Sequence, residues 1–256
     1  MPEAPTPLFP LLHRLLARVD LTPADQEAVL ALPHSVRPLR ANEHFVRLGQ
    51  KPTHCCLMLS GFTVREKMVR NGARQILAVH MRGDMVDLQN VFLERSDHDV
   101  RALTEARVAL IPRTALEEVA FARPPVGKAL WLETLVDGSI FREWIINVAR
   151  RDARERIAHF LCEFAVRLEA AGLAETTRYE LPMTQEELAD TLGLTSVHVN
   201  RMLRALGEEG LIRRNRRSVR VQNWSKLARA ADFDPEYLHL SQGHQPTPRS
   251  SRTGTM

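Results

Sequence analysis

Between Thr184 and Val221 the chain carries a run of local signals that leaves it few ways to fold. Thr184-Gln185-Glu186-Glu187 has the spacing of a capping box, in which a threonine hydroxyl and a carboxylate three residues on satisfy the free amides of a helix start. The helix predicted from it is short, with Leu188, Ala189 and Leu192 on one face. Gly193 supplies a turn, Leu194 a plug for the core, and Thr195 the cap of a second helix over Ser196 to Leu206. Its apolar stripe is Val199, Met202, Leu203 and Leu206. Two short helices joined by a tight glycine turn form a helix-turn-helix. After Gly210-Leu211-Ile212 the run RRNRRSVRV alternates as a hairpin with Asn215 near its tip, which adds a wing.

With the stripe turned inward, the second helix offers Ser196, Val197, His198, Asn200, Arg201 and Arg204 to the outside. Arginine can bridge O6 and N7 of guanine, and asparagine does the same on adenine. The pattern therefore predicts double-stranded DNA as partner, with Arg201 as main base reader and Ser196, Val197 and Asn200 as modulators. Thr184 and Thr195, at the two helix starts, complete the predicted DNA-facing set. Arg213, Arg214, Arg216 and Arg217 of the wing suit phosphates, which give salt-sensitive and sequence-independent affinity. Charge agrees: Thr195 to Ala231 holds nine Lys and Arg against two acidic residues, in a chain of net charge +4.

The 183 residues before Thr184 have room for a second domain, since domains run to roughly 100–200 residues. From Val36 to Pro112, short apolar runs are broken by turn signals, with Asn71-Gly72 the sharpest hairpin mark. No helix-length segments separate them, so a sandwich or barrel is expected rather than a parallel sheet. Residues 1–10 read as a loose Pro-rich arm, followed by a helix carrying Leu12, Leu15, Leu16 and Val19 and a second opened by Thr22-Pro23. A long helix is predicted from Pro124 to about Arg150. Its apolar surface exceeds what one small domain needs, so it is expected to pair with its copy as a loose coiled coil through Leu130, Leu135, Trp144 and Val148. Another helix, Ala153 to Ala171, stops at Gly172. The expected division is 1–123, 124–151, 152–232, and a mostly disordered tail over 233–256.

Several function classes are disfavoured. No apolar run approaches the ~20 residues of a membrane span and no signal peptide is evident, so a cytoplasmic protein is expected. The three cysteines show no CxxC spacing, and adjacent Cys55 and Cys56 point to opposite faces of a strand, at most one of them toward a core. His44, His54, His80 and His98 are scattered rather than clustered, so neither metal, cofactor nor enzymatic activity is expected.

A barrel, a long helix and a winged helix-turn-helix in that order resemble the CRP/FNR superfamily of bacterial regulators. The most specific match runs from Pro182 to Thr195, followed by Val199-Asn200-Arg201-Met202-Leu203 and Gly210-Leu211-Ile212; Gly61 and Gly83-Asp84 also match. The resemblance implies an α+β chain. Its parts would be an N-terminal antiparallel β-roll (a cupin-like jelly roll, like a cyclic-nucleotide-binding domain), a long dimerisation helix and a C-terminal winged helix-turn-helix. It implies a homodimer on a palindromic operator, RNA polymerase as a further partner, and a small-molecule effector. Where the best-known members carry a glutamate on the recognition helix this chain has Val197, which removes an acceptor for cytosine N4. Cyclic-nucleotide-binding members hold the ribose with Gly-Glu and the phosphate with Arg-Ser. The corresponding effector pocket here is Gly83, Asp84, Arg95 and Ser96, but the Arg-Ser pair is shifted and flanked by Asp97 and Asp99, whose charges oppose a phosphate. The alternative reading is a β-roll module whose main role is to respond to a cyclic nucleotide or another small effector.

Overall fold

Alternation along one strand explains how the N-terminal half is layered. The computed structural model describes residues 6–240, and in it β3 (His54–Ser60) sends Cys55 and Leu57 to one side and Cys56 and Met58 to the other. Cys56 and Met58 fill the space between two antiparallel sheets together with Val100 and Val108. One sheet has the order β1-β7-β3 and the other β2-β6-β4-β5, where β1 is Ser35–Leu39, β2 His44–Val46, β4 Thr63–Met68, β5 Arg74–His80, β6 Asp99–Ala102 and β7 Ala106–Pro112. Cys55 and Leu57 pack outward under a layer of helices: α1 (Phe9–Leu16), α2 (Pro23–Leu30), α3 (Arg113–Ala122) and the start of α4 (Pro124–Arg150). Both cysteines are thus buried, contrary to the expectation that at most one would be, because both faces of the strand are covered. Burial pushes both thiols well above the ordinary cysteine range. Gly61 closes the turn after β3 at φ +76°, where a Cβ would lie 2.3 Å from the Glu105 carbonyl oxygen.

Of the N-terminal arm, residues 1–5 lie outside the described residues, and residues 6–10 are more ordered than the prolines suggest. Leu8 is fully buried and α1 begins at Phe9, because Pro10 sits in the first turn, where its missing N–H costs nothing.

The remaining elements are α5 (Ala153–Ala170), β8 (Arg178–Glu180), α6 (Gln185–Leu192), α7 (Ser196–Glu208), β9 (Ile212–Asn215), β10 (Ser218–Val221) and α8 (Trp224–Ala230). Asp152 caps α5 with a full capping box. The apolar core of this half is continuous with the outer face of β4 and β5: Val64, Ile76 and Val79 join Phe164, Leu188 and Leu192, and the Phe62 and Phe164 rings lie 5.8 Å apart.

Helix α4 has two apolar stripes with different destinations. Leu130, only 6% exposed, packs with Val126 and Ala129 into the core under α1 and α3. Trp144, 8% exposed, meets the Phe160 ring edge-on and donates Nε1–H to Glu163 at 2.9 Å. Neither residue is available to a second chain, which corrects the predicted pairing face; periodicity marked apolar surface without saying what covers it. Val148 is half-buried, and Leu135 is exposed.

Residues 233–240, predicted as part of a disordered tail, are structured, while 241–256 lie outside the described residues. Phe233, Tyr237 and Leu238, the last two in a 3₁₀ turn over Pro235–Leu238, form a strap across α4 and α5. Tyr237 stacks on His159 and donates its hydroxyl to Glu163 at 2.9 Å. Glu163 is buried, which raises its pKa despite bonds from Trp144, Tyr237 and Arg167.

Candidate nucleic-acid interface

The helix-turn-helix forms where its local signals place it. Thr184 Oγ1 accepts from the Glu187 amide at 3.1 Å while the Glu187 carboxylate accepts from the Thr184 amide at 2.9 Å. Gly193 takes a left-handed conformation at φ +62° and ends α6, a geometry that favours glycine. Thr195 caps α7 by accepting from the His198 amide at 3.2 Å.

On α7, Val199, Leu203 and Leu206 are buried and Met202 half-buried. Val197, Asn200, Arg201 and Arg204 share the opposite face by helical period and are exposed, Val197 to 79%. Ser196 is exposed beside them, and His198 is half-buried at the edge. The two capping threonines are turned to local work: both hydroxyls accept helix amides.

In the hairpin, β10 pairs with both β8 and β9, and Arg216-Arg217 make the tip. Arg216 adopts φ +51°, an uncommon conformation for a residue with a side chain. Arg213, Arg216 and Arg217 are exposed. Arg214 alternates to the inner side, where it lines an open groove with Asn200, Arg204 and Arg216. Partial burial without a partner for its Nε lowers the pKa of this guanidinium. The arrangement is a convex helix face flanked by a cationic rim, suited to a groove bordered by phosphates.

The four residues of the predicted effector pocket are not brought together. Asp84 forms an ion pair with Arg14 of α1 at 2.6 Å and another with Arg167 of α5 at 3.1 Å. It borders a cavity of about 40 Å³, room for a few waters, lined also by His80, Glu133 and Asp137. Arg95 and Ser96 do not line it. Arg95 is exposed and donates to the Gly49 carbonyl at 3.0 Å, and buried Ser96 donates to the His98 carbonyl at 2.9 Å. Gly83 is held at φ +90° with the Pro10 carbonyl and Arg14 beside it. Sequence reasoning missed Arg14 and Arg167 as partners of Asp84, since nothing local ties either to that position. His80 is buried, and burial plus the Arg65 and Arg167 charges hold its pKa well below the usual histidine range.

Comparison with known proteins fits both halves. Residues 36–123 match the cyclic nucleotide-binding domain model, and residues 155–230 match the Crp-like helix-turn-helix domain model. The transcriptional activator protein FnrL of Cereibacter sphaeroides is 30% identical over 244 residues, 91% of this chain and 96% of FnrL. The chain belongs to the CRP/FNR family of transcription regulators. Another CRP/FNR relative, the nitrogen fixation regulation protein FixK of Azorhizobium caulinodans, is 30% identical over 61% of this chain and 62% of its own length. The structure of FixK2 from Bradyrhizobium japonicum superposes with a TM-score of 0.73 at 25% identity, covering 79% of this chain and all of that one. The β-roll, helices and C-terminal helix-turn-helix are therefore those of a CRP/FNR regulator, and the protein is a DNA-binding regulator of transcription. Among the described residues no helix is long and apolar enough to cross a membrane.

Proposed function

We propose that a homodimer of this chain reads a two-fold symmetric operator, with one α7 in the major groove at each half-site. The observation that carries this reading is the exposed face of Val197, Asn200, Arg201 and Arg204 beside the arginine-rich hairpin. Arg201 is the main base reader, through a bidentate contact to guanine, and Asn200, Val197 and Ser196 tune the neighbouring positions. Arg204 and the wing residues Arg213, Arg214, Arg216 and Arg217 hold phosphates. Val197 offers a methyl contact rather than an acceptor, so the half-site favours thymine over cytosine at the position it faces.

The dimer seam is the outer stripe of α4. Trp131, Leu135, Gly138, Arg142 and Ile145 follow one another in steps of four and three, and Trp131, Leu135 and Ile145 are all exposed. That is the spacing of a coiled-coil face, and it replaces Leu130 and Trp144 as the contact. Because Asp84 is taken up by Arg14 and Arg167, operator binding does not call on a cyclic nucleotide. FnrL is named a transcriptional activator, and activation, with RNA polymerase as partner, is the direction we assign to this chain.

Selection of bound duplexes from a random pool with purified, ligand-free protein tests this. The expected result is an inverted repeat whose half-sites lie about 10 base pairs apart, one helical turn. A single unrepeated site would overturn the dimer, and failure to bind until a cyclic nucleotide is added would overturn the ligand-free reading.

A further inference from the structure

The first helix of the helix-turn-helix is not free on the side away from α7. It lies against β5, where Arg74 gives Asp190 two contacts, Nε at 2.7 Å and Nη2 at 2.6 Å. Arg101, on β6, gives Glu187 Oε1 two more, each at 3.2 Å. Gln75 adds a bond from its side-chain amide to the Thr191 carbonyl at 3.1 Å. Arg101 is itself fixed before it reaches α6: its Nε donates to Glu66 at 3.1 Å and its Nη1 to Asn42 at 2.9 Å. Arg101 and Glu66 are almost fully buried, and Arg74, Asp190 and Glu187 are mostly so. Glu187 has a double duty, since the carboxylate that closes the capping box of α6 also anchors that helix to another domain.

The position of this contact gives it a consequence. Helix α4 carries both the roll and the proposed dimer seam, while α5 to α8 follow it through the extended residue Arg151 and the cap Asp152. Two residues are a joint about which the DNA-binding half can turn. An apolar junction already lays α5 and α6 on β4 and β5, and the α6 ion pairs add a directional, polar connection at the edge of it that sets the angle at which the DNA-binding half sits.

We propose that Asp190 and Glu187 are positioning residues which, with Arg74 and Arg101, latch the helix-turn-helix to the roll and so fix the separation and tilt of the two recognition helices. The proposal rests on the homodimer reading, because the angle of one α7 to its own α4 matters for site choice only when two half-sites must be matched at once. In the latched arrangement the α7 face is exposed. The latch therefore prepares the dimer for its operator rather than holding it off.

Two variants, Arg74→Gln and Asp190→Asn, separate this from its rivals because they break the same ion pair while changing the net charge in opposite directions. Neither touches the capping box, and each residue retains some solvent access, so both chains should fold. The probes are duplexes with two copies of the selected half-site at the selected spacing, duplexes one base pair longer or shorter, and a duplex with a single half-site. Wild type should prefer the selected spacing. Each variant should lose about threefold of that preference, the range expected for one partly buried ion pair, with single half-site affinity unchanged. If both variants keep the wild-type preference, the latch is wrong. If Arg74→Gln weakens and Asp190→Asn strengthens binding to every duplex alike, the residues act on DNA charge directly and the latch is again wrong. If wild type gains no affinity from a second half-site, the homodimer reading fails and takes the latch with it; if it gains affinity but is indifferent to spacing, the homodimer stands and the latch is wrong.

Discussion

On α7 and the wing, Arg201, Arg204, Arg213, Arg216 and Arg217 are exposed and make no side-chain ion pair among the described residues. At the junction between roll, α4 and α5, by contrast, Arg14, Arg18, Arg65, Arg74, Arg101 and Arg167 are each held by at least one carboxylate. The same side chain is thus used in two ways. A buried guanidinium needs its counter-charge supplied by the chain, since leaving it unpaired in a poorly solvated site is costly. An exposed one is solvated by water until a phosphate or a guanine edge displaces that water and the counterions nearby. The paired arginines of the junction hold the domains together, and the unpaired ones of α7 and the wing are those we propose to meet DNA.

The largest effect should come from removing a carboxylate at the junction. Glu133 accepts from Arg14 at 2.7 Å and from Arg18 at 2.5 Å, and all but a small part of it is buried. Glu133→Ala should destabilise the fold by about 3–5 kcal/mol, read as a lower urea midpoint, because two cations lose a buried partner. A loss under about 1 kcal/mol would put these pairs with ordinary surface bridges and dissolve the contrast. Arg201→Ala comes next and should act on the other property. Unfolding should stay within about 0.5 kcal/mol of wild type. Operator affinity should fall by about 1–3 kcal/mol with relaxed preference at one base pair. Equal losses on operator and random duplexes would make Arg201 a phosphate contact. The smallest effect is expected for Arg216→Ala, which should lower the slope of log affinity against log salt by about one and leave sequence preference alone. An unchanged slope would remove the wing tip from the contact surface.

What could be read in advance follows the same division. The winged helix-turn-helix was legible because its signals are local: a capping box at Thr184, a left-handed glycine at 193, a cap at Thr195 and alternation in the hairpin. The antiparallel roll was legible from strand length and turns, among them Asn71-Gly72 between β4 and β5. The junction was not. The family resemblance assigns Asp84 to an effector pocket, yet its partners arrive from α1 and α5, and no spacing rule links them. Helix α4 shows the same gap, because Trp144 and Leu135 look alike in a periodicity plot while one meets Glu163 and the other meets solvent. The strap after α8 gave no signal either: a 3₁₀ turn has too few residues to show a period, and its role depends on the His159 and Glu163 side chains it covers.

That strap ties construction of the protein to the order of its synthesis. Arg18, near the start of the chain, donates to the backbone carbonyl of His239, a contact spanning 221 positions. The roll has every strand it needs by residue 112 and can gather as it emerges from the ribosome. The contact between Arg18 and His239 can form only after residue 239 has been made. A polypeptide halted before Phe233 would possess the roll, the long helix and the whole reading head, but His159 and Glu163 would stand uncovered beside α4. It would also lack the contact from Arg18 to the strap, so this corner of the junction is completed only once synthesis has passed residue 239.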